Sequence, residues 1–229
     1  MSHVDQHGHA PADSALGRQI VDPAPVQFLT EDGTWNPSDT AAEFASELEN
    51  VSVDEYRTWY SDMVHARAFD VECTHLQRQG QLALWVEAVG QEGCQVGLAN
   101  ACAKDDFIFP SYREHTVARA RGLHLTKIAA LFRGLTHGGW DITDPANGNM
   151  NLYTLVLGAQ THHAAGFALS QLLDAKAEAG DTTLDPGQPG LASQAATMVF
   201  YGDGTTSQGD PNEAMIFAAS YQAPVVFVG

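Results

Sequence analysis

The chain has 229 residues, long enough for one large domain, and 44% of them are apolar, enough for a sizeable core. A formal net charge of −17 argues against nucleic acid or an anionic membrane as a partner. No run reaches transmembrane length, and the first residues show neither the basic and apolar regions of a signal peptide nor an Arg-rich transit face. Cys73, Cys94 and Cys102 are odd in number and lack metal-like spacing, which points to a reducing cytosol and ordinary buried thiols.

Residues 1–25 are polar and rich in Pro, Gly, His and Asp, the composition of a disordered tail. His3, His7 and His9 lie in it with nothing to fix a metal geometry. The domain is expected over 26–229. Val26 to Pro37 reads as a short extended ribbon with a Glu-Asp-Gly turn. Ser52 and Glu55 make a capping box for a long helix that runs to Gly80. Its predicted apolar face holds Tyr56, Trp59, Tyr60, Met63, Phe69, Cys73 and Leu76, with Arg67 and Arg78 solvated or paired. Gly90, Gly93 and Gly97 then recur at three- and four-residue spacing, which predicts tight helix packing.

Phe107-Ile108-Phe109 predicts a strand that Pro110 breaks. Tyr112 and Arg113 follow it, placed so that an aromatic hydroxyl and a planar cation could reach a diphosphate, which accepts an Arg fork bidentately. The alternative is a helix start with exposed charges. Arg119 and Arg121 read as solvated or ion-paired. Leu125 to Arg133 predicts a short amphipathic helix, and the glycine-rich residues after it an irregular loop. Leu152 to Leu157 predicts a buried strand, and Thr161 to Ala179 a helix. His162 and His163 are adjacent on that helix, so they point about 100° apart and cannot form a two-ligand face. Residues 180–194 read as a polar surface connection within the domain.

The final stretch carries the densest signal. Thr197 to Tyr201 is a strand-length β-branched and aromatic run that ends in Gly202-Asp203-Gly204. Asp210 predicts an N-cap, with Pro211 at the first helical position and Glu213 completing a capping box. Pro224 ends the helix and Val225 to Val228 forms a second buried strand. A strand, loop, helix and strand in this order predict an α/β fold with a parallel sheet. Asp203 between glycines can hold a hard cation, and loop amides around Thr205 and Thr206 can receive the phosphate oxygens that it bridges. The same pattern also suits a purely structural turn. Some Mg²⁺-dependent phosphatases carry such a GDG, but they need an upstream Asp-x-Asp nucleophile, and Asp141-Ile142-Thr143-Asp144 has the wrong spacing.

GDGTTSQGDPNEAMIFAASYQAPVVFV resembles the thiamine-diphosphate motif in the alpha subunits of 2-oxo acid dehydrogenases of the branched-chain and pyruvate types. The resemblance runs from about Val26 to Gly229. It includes LQRQGQLALWVEAVGQEGCQVG (Leu76–Gly97), DDFIFPSYREHTVARARG (Asp105–Gly122) and LYTLVLGAQTHHAAG (Leu152–Gly166). It implies a thiamine-diphosphate-binding fold, a parallel sheet flanked by helices, incomplete at its C-terminal side. It further implies Mg²⁺ on Asp203, diphosphate contacts from Tyr112, Arg113, Gly204 and Thr205, and a pyrimidine contact from Leu157. His115 matches a position with a catalytic, substrate-side role. Another substrate-side His of the family falls near Asn149 to Tyr153, where this chain has no His.

By the same resemblance, the chain is expected to be a C-terminally truncated alpha subunit in an alpha2-beta2 assembly. It would decarboxylate a 2-oxo acid, branched-chain slightly ahead of pyruvate, and pass the acyl group to a lipoyl-bearing acyltransferase. The asparagine pair that closes the family motif would begin just beyond Gly229. The alternative is a non-catalytic fragment that only pairs with a beta subunit.

Overall fold

The computed structural model describes residues 24–180 and 195–229. The tail predicted over 1–25 and the connection over 180–194 fall almost wholly outside the described residues. The chain divides into two compact units, Met1–Val53 and Asp54–Gly229. In the first, Leu29 and Trp35 form an antiparallel bridge across the predicted turn, where Gly33 takes φ +81°. Phe28 stacks on Trp35 at 5.5 Å. A 3-10 helix, Asp39–Phe44, and a short α1, Ala45–Glu49, follow.

The second unit is α/β. Its helices are α2 (Val53–Arg78), α3 (Glu92–Ala101), α4 (His115–Ala120), α5 (Leu125–Phe132), α6 (Ala159–Glu178), α7 (Asp203–Thr206) and α8 (Gly209–Tyr221). Strands β1 (Phe107–Phe109), β2 (Thr197–Phe200) and β3 (Val225–Val228) form a parallel sheet in the order β1-β2-β3. Each strand is an apolar run because both faces of the sheet are covered. Ile108, Met198, Phe200 and Val228 pack into one cluster with Trp85, Val117, Ile128, Phe132 and Trp140. The alternate residues, Phe107, Phe109, Val199, Val225 and Phe227, pack into a second cluster with Ala164 and Phe167 of α6. No described helix is long and apolar enough to cross a membrane.

The strand predicted over Leu152 to Leu157 does not form. Ile108 pairs there only with Met150, donating to the Asn149 carbonyl and accepting from the Asn151 N–H. The next rung of a parallel ladder would need an N–H from residue 110, and Pro110 has none. The run leaves the sheet, held by Thr154 N–H on the Ser111 carbonyl at 2.8 Å, and Leu155 and Val156 are 53% and 71% exposed.

The helix after β2 also differs from expectation. It begins at Gly209 with Gln208 as N-cap and no side-chain cap, so Asp210 lies inside its first turn. The α7 turn carries the chain into α8 two residues early, and the carboxylates of Asp210 and Glu213 face His162 of α6 instead, at 3.3 and 3.7 Å. On α2 the packing face is Ala66, Phe69, Asp70, Cys73 and Leu76, while Tyr56 and Tyr60 are exposed. Gly93 and Gly97 are not tightly packed: a Cβ on Gly97 meets nothing within 4 Å, and one on Gly93 only the Met63 sulfur at 3.9 Å. Arg67 pairs with Glu92, Arg119 with Asp62 at 2.9 Å, and Arg121 donates to the carbonyls of Ala103, Lys104, Asp106 and Gly148.

The irregular segment from Leu82 to Gly90 is anchored by one buried carboxylate. Asp70 accepts Trp85 Nε1 at 2.7 Å and the Ala88 N–H at 2.9 Å. Asp70→Ala strands both donors in the core and is expected to lower the unfolding free energy by about 3 kcal/mol. Asp70→Asn keeps one acceptor and should fall between the two. Urea unfolding of the three proteins measures the order.

Candidate functional site

In parallel sheets flanked by helices, ligands bind in the crevice beyond the carboxyl ends of the strands. A cleft of about 400 Å³ lies there. Ser111, Tyr112, Arg113 and Glu114 enter it after β1, Tyr201, Gly202 and Asp203 after β2, and Gly229 after β3. Gln91, Cys94, Gln95 and Leu98 close it from α3. The two segments that sequence reasoning joined, Tyr112-Arg113 and Asp203, therefore share one cleft.

Pro110 ends β1, and the four residues after it have no regular structure, so their backbone polar groups need other partners. The Arg113 N–H donates to Glu114 Oε2 at 3.1 Å, and its carbonyl accepts Gln95 Nε2 at 3.0 Å. Arg113 Nε donates to the Glu87 carbonyl at 3.1 Å, and Cζ lies 5.2 Å from the centre of the Tyr112 ring. Among the described residues its two terminal nitrogens donate to nothing, which leaves the fork of the guanidinium for a ligand.

Across the strands, Asp203 is exposed in the first turn of α7. Gly204 touches Leu157: a Cβ on that glycine would lie 3.3 Å from Leu157 Cδ1. Leu157 thus reaches the glycine turn without lining the cleft. The Thr205 N–H is already spent on the Gly202 carbonyl at 3.0 Å, and its fully buried hydroxyl has no partner among the described residues. Gly158 takes φ +95° to start α6, and a Cβ there would meet Asp210 Cβ at 3.1 Å, so only glycine fits without displacement.

The sequence profile of the "Dehydrogenase E1 component" family matches residues 60–228. A Mycobacterium tuberculosis protein named 3-methyl-2-oxobutanoate dehydrogenase subunit alpha is 36% identical over 208 residues, covering 90% of this chain and 49% of its own. Pyruvate dehydrogenase E1 component subunit alpha of Bacillus cereus is 30% identical over 181 residues, 79% of this chain and 43% of its own. The Staphylococcus aureus protein of the same name is 30% identical over 203 residues, 89% and 48%. The chain belongs to the dehydrogenase E1 component family. It spans about half the length of the curated relatives it matches.

Within this E1 chain His115 lies outside the cleft. Its ring is buried and stacked on Trp85 at 4.4 Å. Since the Val86 carbonyl can only accept, Nε2 carries the proton to it at 3.0 Å, and Nδ1 accepts the Tyr153 hydroxyl at 2.9 Å. Burial holds its pKa down to about 4 and pushes the Tyr153 phenol up. Next to it, burial raises the Glu114 carboxyl to about 7, against the opposing hydrogen bonds from backbone N–H groups.

Sequence reading missed Gln95, Cys94 and Glu114 as cleft residues. Gln91 and Gln95 are four apart on α3 and so share a face, a signal that the glycine spacing masked. Cys94 is exposed at the cleft, not a buried thiol. Among the described residues no group of three or more His, Cys, Asp or Glu side chains could hold a metal ion by itself.

The adjacent pair should give opposite pH dependences of stability. Glu114 binds its proton more tightly when folded, so its contribution is present at low pH and is lost as pH rises to about 7. His115 resists protonation when folded, so its contribution is present above its unfolded pKa of about 6.5 and is lost as pH falls to about 4. Each is worth about 3 kcal/mol over its window. Glu114→Gln should therefore lose stability more steeply on acidification between pH 6.5 and 4 than wild type, and His115→Gln less steeply. Unfolding curves at stepped pH values measure both slopes.

Proposed function

We infer that this chain is the alpha-subunit part of the decarboxylating component of a cytoplasmic 2-oxo acid dehydrogenase. Its substrate is a 2-oxo acid, branched-chain slightly ahead of pyruvate. The single observation that carries this reading is the meeting in one cleft at the strand ends of Asp203 and Arg113, whose two terminal nitrogens donate to nothing among the described residues. The greater identity to the 3-methyl-2-oxobutanoate enzyme than to the two pyruvate enzymes supports the order of substrates.

The residues present fit thiamine diphosphate with Mg²⁺. Arg113 and Tyr112 would grip the diphosphate and Asp203 would ligate the metal, which takes few protein ligands. Gly204 and Thr205 follow Asp203 but do not line the cleft, and Thr205, fully buried with its N–H on the Gly202 carbonyl, is not free to contact the diphosphate. Leu157, which touches Gly204, would contact the pyrimidine. Thiamine diphosphate supplies the carbon on which 2-oxo acids are decarboxylated. The protein's share is to bind, orient and exclude water. A beta subunit in an alpha2-beta2 assembly and a lipoyl-bearing acyltransferase are the partners of this reading.

His115 enters the reading with a changed emphasis. In the isolated chain its two nitrogens are occupied, so a substrate-side role requires the Tyr153 contact to open.

The test is binding of thiamine diphosphate with Mg²⁺ by the chain together with a beta subunit, followed by calorimetry. Asp203→Ala is expected to weaken Mg²⁺-dependent binding about 100-fold, the loss of a charged ligand of roughly 3 kcal/mol. Unchanged binding by that variant refutes the metal role. Rates on 3-methyl-2-oxobutanoate and pyruvate then decide the substrate.

A further inference from the structure

Gln95 in the cleft makes two of its hydrogen bonds to the backbone around Arg113. Gln95 of α3 is buried, at 3% exposure. Its Nε2 donates to the Arg113 carbonyl at 3.0 Å and to Gln91 Oε1 at 3.1 Å, and its Oε1 accepts the Thr116 N–H at 3.0 Å. A carboxamide has two donors on nitrogen and an acceptor oxygen, and here both donors are used and the oxygen accepts one bond. Glu114 holds the preceding peptide unit by accepting the Arg113 N–H, and the Arg113 carbonyl also accepts the His115 N–H at 2.7 Å. The segment so held has no ladder or helix of its own, since Pro110 ends β1 and α4 begins only at His115.

We propose that Gln95 is a positioning residue for anion binding, its carboxamide clamping the Arg113 carbonyl and the Thr116 N–H so that the Arg113 guanidinium is presented to a diphosphate. With the backbone clamped and Nε tied to the Glu87 carbonyl, the Arg side chain loses little further freedom when a ligand arrives. Preorganisation of this kind raises affinity by reducing the ordering that binding requires. Gln91, one turn earlier, orients the carboxamide in turn. Any residue other than a carboxamide breaks the set: Glu cannot donate, and Met neither donates nor accepts through strong groups. The proposal rests on the reading of the cleft as a thiamine-diphosphate site.

A double-mutant cycle on the full chain with a beta subunit tests it, with Mg²⁺ and thiamine diphosphate as the probe and calorimetric Kd as the readout. Gln95→Met is expected to raise Kd about tenfold, one buried hydrogen bond's worth. Arg113→Ala should raise it more, and adding Gln95→Met to Arg113→Ala should raise it less than about twofold further, because Gln95 acts through that side chain. Equal penalties for Gln95→Met in both backgrounds, or no penalty in either, overturn the clamp. If Gln95→Met does not fold, Gln95→Glu takes its place: it keeps an acceptor for Thr116 and loses the donor to Arg113, and the same non-additivity is required. Should Arg113→Ala leave Kd unchanged, or the wild type bind nothing, the cleft reading itself fails. That outcome is distinct from one in which Arg113→Ala weakens binding and Gln95 variants do not.

Discussion

The direction of three short strands governs everything else in the second unit. Because β1, β2 and β3 run parallel and both sheet faces are covered, their carboxyl ends emerge on one side. The turns that leave them are freed from ladder bonding at that side. They carry Tyr112, Arg113 and Asp203, which lie far apart in sequence, into a common cleft. A strand of β2's kind, with all four residues buried, tolerates little change, whereas the turn after it can be any chemistry the backbone permits.

Much of this was written in the sequence where local pattern and global fold agree. The β2–α8–β3 unit follows from two apolar runs around a helix pattern, and β1 from Phe-Ile-Phe before Pro110. What was not legible depended on partners distant in the chain. Leu152 to Leu157 has the composition of a strand, but whether it pairs is decided by a missing N–H on another segment. Asp210 has the composition of an N-cap, but His162 of α6 competes for its carboxylate. Likewise, His115 sits within two residues of Arg113 in sequence, and only the placement of Trp85 and Tyr153 turns its ring inward.

The site was legible by residue type and less so by function. Arg113, Tyr112 and Asp203 share the cleft, and it was the family resemblance that joined them, since charge and spacing alone also suited a helix start and a structural turn. The groups that hold Arg113 in place are neutral or backbone atoms: a glutamine amide, the Glu87 carbonyl, a buried carboxyl shared with an N–H. Such supports leave no charge pattern in a sequence, and their role emerges only from which peptide groups lack a regular partner.

Pro110's interruption of the ladder has a material consequence for anyone who handles the protein. It turns Leu155 and Val156 outward, while on α8 Ile216 and Phe217 are also half-exposed or more. Among the described residues β3 has a partner on one edge only. Oily side chains together with an unpaired strand margin favour clumping at high concentration. Low temperature weakens hydrophobic adhesion, so chilled, dilute, low-salt preparation suits this chain best.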